Sequence, residues 1–183
     1  MSRFARLALA AATLCCTNVL AQQEKQFDFL LGAWEVEVQP KVSGLAAAIH
    51  GTPRLSGTWK AWRALDGLAI EDELRVVDAS GNPISLTHAL RIYSKADRRW
   101  KVGGADAFRA RFSESSGEGA GGEMRLNGRG TDAEGRPAVT RVRYYDIKPD
   151  GFRMQQDRSI DDGKTWDEAV LVIVAKRVAA APR

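Results

Sequence analysis

The stretch "FDFLLGAWEVEVQ", residues 27–39, changes its period partway along. Phe27, Leu30 and Leu31 recur at helical spacing, so residues 22–31 predict one or two turns of helix. From Trp34 the period is two: Trp34, Val36 and Val38 share one face, and Glu35 and Glu37 share the other. That is the pattern of a strand with one buried face and one wet face.

The alternation recurs down the chain. In "ISLTHALRI", residues 84–92, Ile84, Leu86, His88, Leu90 and Ile92 share a face, with Ser85 and Thr87 on the other. Turn clusters rich in Gly, Pro, Asn and Asp fall at residues 78–83, 94–97, 132–137, 148–151 and 161–164. Short alternating strands between regular turns predict an all-β antiparallel sandwich or barrel of about nine or ten strands. Residues 44–50, "GLAAAIH", read as a short helix or a loop. Residues 113–122, "SESSGEGAGG", read as a flexible loop. Gly117, Gly119 and Gly122 match G-x-G-x-x-G, but a dinucleotide site needs a strand before that motif and a helix after it, and neither is expected.

The first residues read as a processing signal. Arg3 and Arg6 precede an apolar run over residues 7–16, too short to cross a bilayer of ~30 Å as a helix. Val19, Leu20 and Ala21 offer a cleavage site. Residues 1–21 are therefore expected to be a signal peptide, 22–178 a single domain, and 179–183 a flexible tail. Export to the periplasm or beyond follows. Both cysteines, Cys15 and Cys16, lie in the signal, so the mature chain is expected to lack disulfides and thiolate metal sites. The signal also carries two arginines and no acid, so the formal charge of +4 relaxes towards neutrality on processing. An exported chain with so small an excess is not expected to bind nucleic acid, and no later segment is apolar enough to span a membrane.

The run "FDFLLGAW" contains G-x-W, Gly32 to Trp34, just after the short helix and at the start of the first strand. This resembles the opening of lipocalin-like (calycin) barrels. The longer pattern F-D-F-x-x-G-x-W, with a late hairpin, resembles an uncharacterised family of exported bacterial domains. The resemblance covers most of residues 27–177. It implies an up-and-down β-barrel in which a short N-terminal helical plug closes one end. It also implies a late basic residue, Arg177, stacked on Trp34. Nitrobindin-type haem barrels share this shape, but they follow the tryptophan with glycines and carry a C-terminal haem-ligating histidine. Here Glu-Val-Glu-Val-Gln follows Trp34, and no histidine comes after His88. No cofactor is expected, and only a single-histidine site at His88 stays open.

Several groups could carry chemistry. In "LAIEDELRVV", Ile70, Asp72, Leu74 and Val76 share an apolar face. Pairing across a turn near Ser80-Gly81, with like faces matched, sets Asp72 opposite His88 or Leu90. A buried carboxylate needs a partner, and His88 would serve at a Cβ separation of ~4.5–5.5 Å. The pair is then a polar handle for a ligand, a general base, or a structural contact. It lacks the nucleophile that would complete a hydrolase or isomerase. Arg141, Arg143 and Tyr145 alternate with Val142 and Tyr144. One register of the hairpin around residues 148–151 turns the arginines inward, with Arg143 facing Gln156 and Arg141 facing Arg158, and demands an anionic ligand. A one-residue bulge turns them to water instead, and avoids burying like charges. Arg91, Lys95, Arg98, Arg99 and Lys101 gather near Tyr93 and Trp100 and could touch an anionic envelope surface. Glu71 and Glu73 share a polar face, which solvation explains. No metal-ligand spacing is present.

"RSIDDGKTW", residues 158–166, fits the Asp-box pattern of sialidase propellers, but it occurs once, and a propeller repeats it. It is expected to be a hairpin loop. Asp161 accepts backbone hydrogen bonds, Gly163 takes the left-handed position, Ser159 and Thr165 close the loop, and Arg158 lies beside Trp166 and Glu168. The functional expectation is a barrel that holds a small apolar or amphipathic molecule, with Asp72, His88, Tyr145 and Arg158 as candidate contacts. The rival expectations are an enzyme built on Asp72 and His88, or a filled barrel acting as an envelope interaction module. Of Trp59 and Trp62, on opposite faces of one strand, only one can line a cavity.

Overall fold

The computed structural model describes residues 23–42, 53, 55–132 and 135–179. The expected signal peptide, the 44–50 segment and the end of the tail lie outside the described residues.

Ten strands form a closed antiparallel barrel in which each strand pairs with its neighbours in sequence, and β1 closes on β10. They are β1 (Gly32–Pro40), β2 (Leu55–Ala64), β3 (Ala69–Val77), β4 (Pro83–Ser94), β5 (Arg99–Asp106), β6 (Arg111–Ala120), β7 (Glu123–Thr131), β8 (Pro137–Lys148), β9 (Gly151–Ser159) and β10 (Asp167–Arg177). Closure leaves no free sheet edge. The up-and-down order puts the starts of β1, β3, β5, β7 and β9 at one end, called here the inner end, and their finishes at the other.

The segment before β1 forms a 3-10 turn of three residues, Asp28–Leu30. Phe27 and Leu30 on it are wholly buried. Phe27 meets Trp100 of β5 edge-on at 5.1 Å and Tyr144 of β8 at 5.7 Å, so its ring reaches strands far apart around the barrel. Trp34 and Phe152 meet at 4.9 Å, and Trp59 and Phe152 at 5.6 Å. Full burial of each such ring stabilises by about 1.5–3 kcal/mol. The Trp34 Nε1–H donates to the Leu30 carbonyl at 2.7 Å. Arg177 lies over the Trp34 ring at 4.0 Å and donates to the carbonyls of Leu31, Phe29 and Pro149. Gly32 has φ of 113°, and a Cβ there would come within 2.6 Å of the Arg177 guanidinium.

Residues 113–122 are not a loop. They form most of β6 and the two-residue turn Gly121-Gly122 into β7. Glycine is needed within this strand for contact rather than mobility: a Cβ on Gly117 would stand 1.8 Å from the Arg125 carbonyl oxygen. The neighbouring strand therefore approaches closer than any side chain permits. The β5–β6 turn has no Gly, Pro or Asn to announce it. Asp106 makes it instead, its Oδ1 accepting from the N–H groups of Phe108 and Arg109.

Two bulges decide which side chains face inward. Between β3 and β4 the ladder shifts at Val76/Val77, so Asp72 stands opposite Ala89 and Glu73 opposite His88. One residue of slip reverses the face of a strand. Arg91 and Ala89 thus point in, while Ile84, His88 and Ile92 are exposed. Between β8 and β9 the shift lies at Tyr145/Lys148, where Asp146 has φ of 51°. Val142 and buried Tyr144 then face the core, with Gln156 and Met154 opposite them. Arg141 and Arg143 turn outward. Arg141 pairs with Asp157 at 3.3 Å and stacks on Trp166 at 3.7 Å.

Candidate functional site

The inward residues leave the outer part of the barrel unfilled. A cavity of about 640 Å³ runs from the mouth towards the aromatic cluster. Its walls are mostly apolar and include Leu74, Val76, Val102, Leu126, Met154 and Ile173. Of the two tryptophans on β2, Trp59 faces in and is 3% exposed, while Trp62 is 41% exposed on the outside. Among the described residues the barrel is not packed solid.

One charged pair lies in this apolar interior. Asp72 of β3 and Arg91 of β4 line the cavity and are each 3% exposed. Arg91 Nη1 meets Asp72 Oδ2 in an ion pair. The other carboxylate oxygen accepts the Trp59 Nε1–H at 2.7 Å. On its far side the Arg91 guanidinium lies 5.1 Å from the centre of the Phe27 ring. Asp72 is thus held from two sides, and Arg91 sits between the cavity and the aromatic cluster. Among the described residues the Arg91 Nε–H finds no acceptor.

The expected Asp72–His88 pair does not form. His88 is on the outer surface, near Trp62 at 6.1 Å and 4.0 Å from a Glu71 carboxylate oxygen. The bulge at Val76/Val77 separates the two, and an acid–base couple between them in the cavity is ruled out. His88 still borders the cavity from β4, with its side chain 49% exposed. Tyr145 likewise faces outward: Arg143 stacks on its ring at 4.4 Å, and its hydroxyl accepts from Arg153. Arg158 does line the cavity, near the mouth. It stands opposite Asp167, whose neighbours in sequence are Trp166 and Glu168, with 3.8 Å between Nη2 and the Asp167 carboxylate.

The basic hairpin around β4 and β5 also differs from expectation. Arg91 is inside, and Trp100 is 2% exposed. The Tyr93 hydroxyl bonds the Gln23 side chain, and the Trp100 Nε1–H bonds the Gln23 carbonyl. Lys95 pairs with Glu24 and Lys101 with Asp97. Among the described residues, no cluster of His, Cys, Asp or Glu could hold a metal ion.

The loop from β9 to β10 borders the mouth. Asp161 accepts hydroxyl bonds from Ser159 and Thr165, both at 2.6 Å, and the Thr165 N–H at 2.9 Å. These donors hold its carboxyl far below the usual carboxylate range. Gly163 has φ of 88°, and its carbonyl accepts from the Trp166 indole. Burial works against the nearby Asp157 carboxylate. The Ala169 N–H, Gln155 and Arg141 outweigh that penalty and keep its carboxyl below the ordinary value.

The signal for Arg91 is present in the sequence. An Asp on an apolar strand face requires a buried partner, and Arg91 lies on the next strand, on a face that otherwise carries Ser85, Thr87 and Ala89. The other face of that strand is the more apolar, and it points to the opposite assignment.

No protein-family model matches the chain, and no curated protein does. Solved structures do. The S-type phycobiliprotein lyase CPES from Guillardia theta superposes with a TM-score of 0.55 at 13% identity, over 86% of this chain and 93% of that one. A de novo designed fluorescence-activating β-barrel superposes with a TM-score of 0.39 at 13% identity, over 85% of this chain and 98% of that one. The likeness to the lyase is one of fold, and it fits a lipocalin-like barrel.

Proposed function

We propose that the protein is an exported carrier or receptor that holds one small, largely apolar molecule in its barrel. The observation that carries this reading is the cavity itself. Its volume of about 640 Å³ falls in the range of small-molecule sites, ~300–1,000 Å³. Mostly apolar walls with a few placed polar groups are the usual composition of such sites. A barrel needed only as a scaffold would gain stability by filling this space, because unfilled apolar volume forfeits packing. Export rests on the N-terminal segment, with Arg3, Arg6 and the apolar run after them.

Native mass spectrometry of the protein isolated from its own source tests the reading. The expected spectrum shows the processed chain with one small molecule bound. An unprocessed chain would overturn export. A processed chain that is empty, and that takes up no apolar compound afterwards, would overturn binding.

A further inference from the structure

The two facing walls of the cavity differ in chemistry. In the closed ten-strand barrel β6, β7 and β8 lie across from β1, β2 and β3. Val38 of β1, Leu55 of β2, and Leu74 and Val76 of β3 line one side. Ser113 and Ser115 of β6, Thr140 of β8 and Gln156 of β9 line the other. Resting on the binding role proposed above, we infer that the cavity takes a rigid molecule with two unlike faces: an apolar ring body that carries uncharged hydroxyl or carbonyl oxygens along one face.

The polar wall is open and unengaged. Ser113 is exposed, and Ser115, Thr140 and Gln156 are half-buried. None of the four side chains has a hydrogen-bond partner among the described residues. They can exchange water for a ligand oxygen without breaking a bond within the protein. Ser115 and Thr140 flank Gly128 in the ladder. A Cβ on Gly128 would stand 2.9 Å from the Ser115 Cβ and 3.0 Å from the Thr140 Oγ1. A Cβ on Gly104 would likewise stand 2.9 Å from the Ser113 Oγ. The hydroxyl-bearing side chains therefore lie over bare backbone, with no side chain between Ser115 and Thr140.

The apolar wall sets the direction. Oxygens turned towards Val38, Leu55, Leu74 and Val76 would lose water and gain no partner. An apolar face turned towards Ser115 and Thr140 would strip those hydroxyls of water in the same way. A molecule with its oxygens on one face meets both walls at once, and fused rings hold them there without an ordering cost on binding. The charged groups leave this contrast intact. Asp72 and Arg91 are matched to each other, and Arg158, opposite Thr140, stands 3.8 Å from Asp167. On β4, Ser85 lies at the mouth, and the Thr87 hydroxyl donates to the Leu74 carbonyl at 3.5 Å.

The test displaces a bound apolar fluorophore with three ligands on one ring skeleton: androstane, the androstanediol with both hydroxyls on one face, and its epimer with them on opposite faces. The two diols are isomers, so the cost of leaving water nearly cancels between them. In the unaltered protein the one-face diol is expected to compete about threefold to tenfold tighter than its epimer, the size of effect for one net hydrogen bond. Ser115→Ala combined with Thr140→Val is expected to erase that difference, while androstane competes at least as well as before. Equal competition by the two epimers in the unaltered protein would overturn the inference, and that comparison needs no variant to fold. So would a one-face preference that survives in the double variant, or the failure of all three to displace a fluorophore that does bind. If androstane competes and the epimers are equal, only this inference fails. If the fluorophore itself does not bind, the binding role fails with it.

Discussion

Asp72 and Arg91 form an ion pair across β3 and β4 inside the barrel, each side chain 4% exposed. Removing one member strands the other charge. Arg91→Met or Asp72→Asn alone should destabilise by about 3–5 kcal/mol, whereas the double variant should lose much less. Urea denaturation of the four proteins measures the coupling. Single losses that simply add in the double variant would mean that the two side chains act independently.

Arg177 and Trp34 bind the last strand to the first. Arg177→Ala forfeits the stack on Trp34 and the bonds to three carbonyls, and should lower stability by about 1–3 kcal/mol. Arg177→Lys keeps the charge but cannot reach three acceptors at once, so it should fall between the two. Thermal unfolding ranks the three proteins. A lysine variant equal to the parent would show that the fork of the guanidinium does nothing here.

Gly117 is a matter of contact. Gly117→Ala sets a methyl group against the Arg125 carbonyl and should prevent the barrel from closing normally, seen as insoluble or poorly folded protein. Gly103→Ala, one strand away, meets nothing within 4 Å and should fold as the parent does. Equal solubility of the two variants would contradict the close strand approach.

The β9–β10 loop should respond to acid. The carboxyl of Asp161 is depressed in the folded chain, so the unfolded chain binds its proton first as pH falls. Its stabilising contribution is complete above the ordinary carboxylate value of ~3.9. It is lost as pH drops from there through the folded value. Asp161→Asn should therefore be less stable than the parent at neutral pH, and the gap should narrow in strong acid. Unfolding curves across that window check this, and a gap independent of pH would show that the charge is not what matters.

Much of the fold is legible in the sequence because its signals are local. Period-two runs mark the strands, and the turn clusters at residues 78–83 and 148–151 fall between the strands they were expected to join. The site is less legible, because it hangs on two bulges. A single extra residue on β4, Ile84 opposite the Val76/Val77 step, moves His88 to the surface and turns Arg91 into the barrel, and nothing in the composition of β3 or β4 marks that residue. The glycines of β6 mislead for a related reason. Their role is set by Arg125 on the next strand, which a local reading does not see. The face of Tyr145 depends on the same kind of slip, at Asp146.

The central claim, that the cavity holds an apolar molecule, is tested most directly by titrating an environment-sensitive apolar fluorophore into the protein and into Leu126→Trp. Leu126 is 3% exposed and lines the cavity, so the larger ring occupies the space a ligand would take. The predicted result is saturable binding of one fluorophore per parent chain, and binding at least about tenfold weaker in a folded Leu126→Trp. No saturable binding to the parent, or equal affinity for both folded proteins, would contradict it.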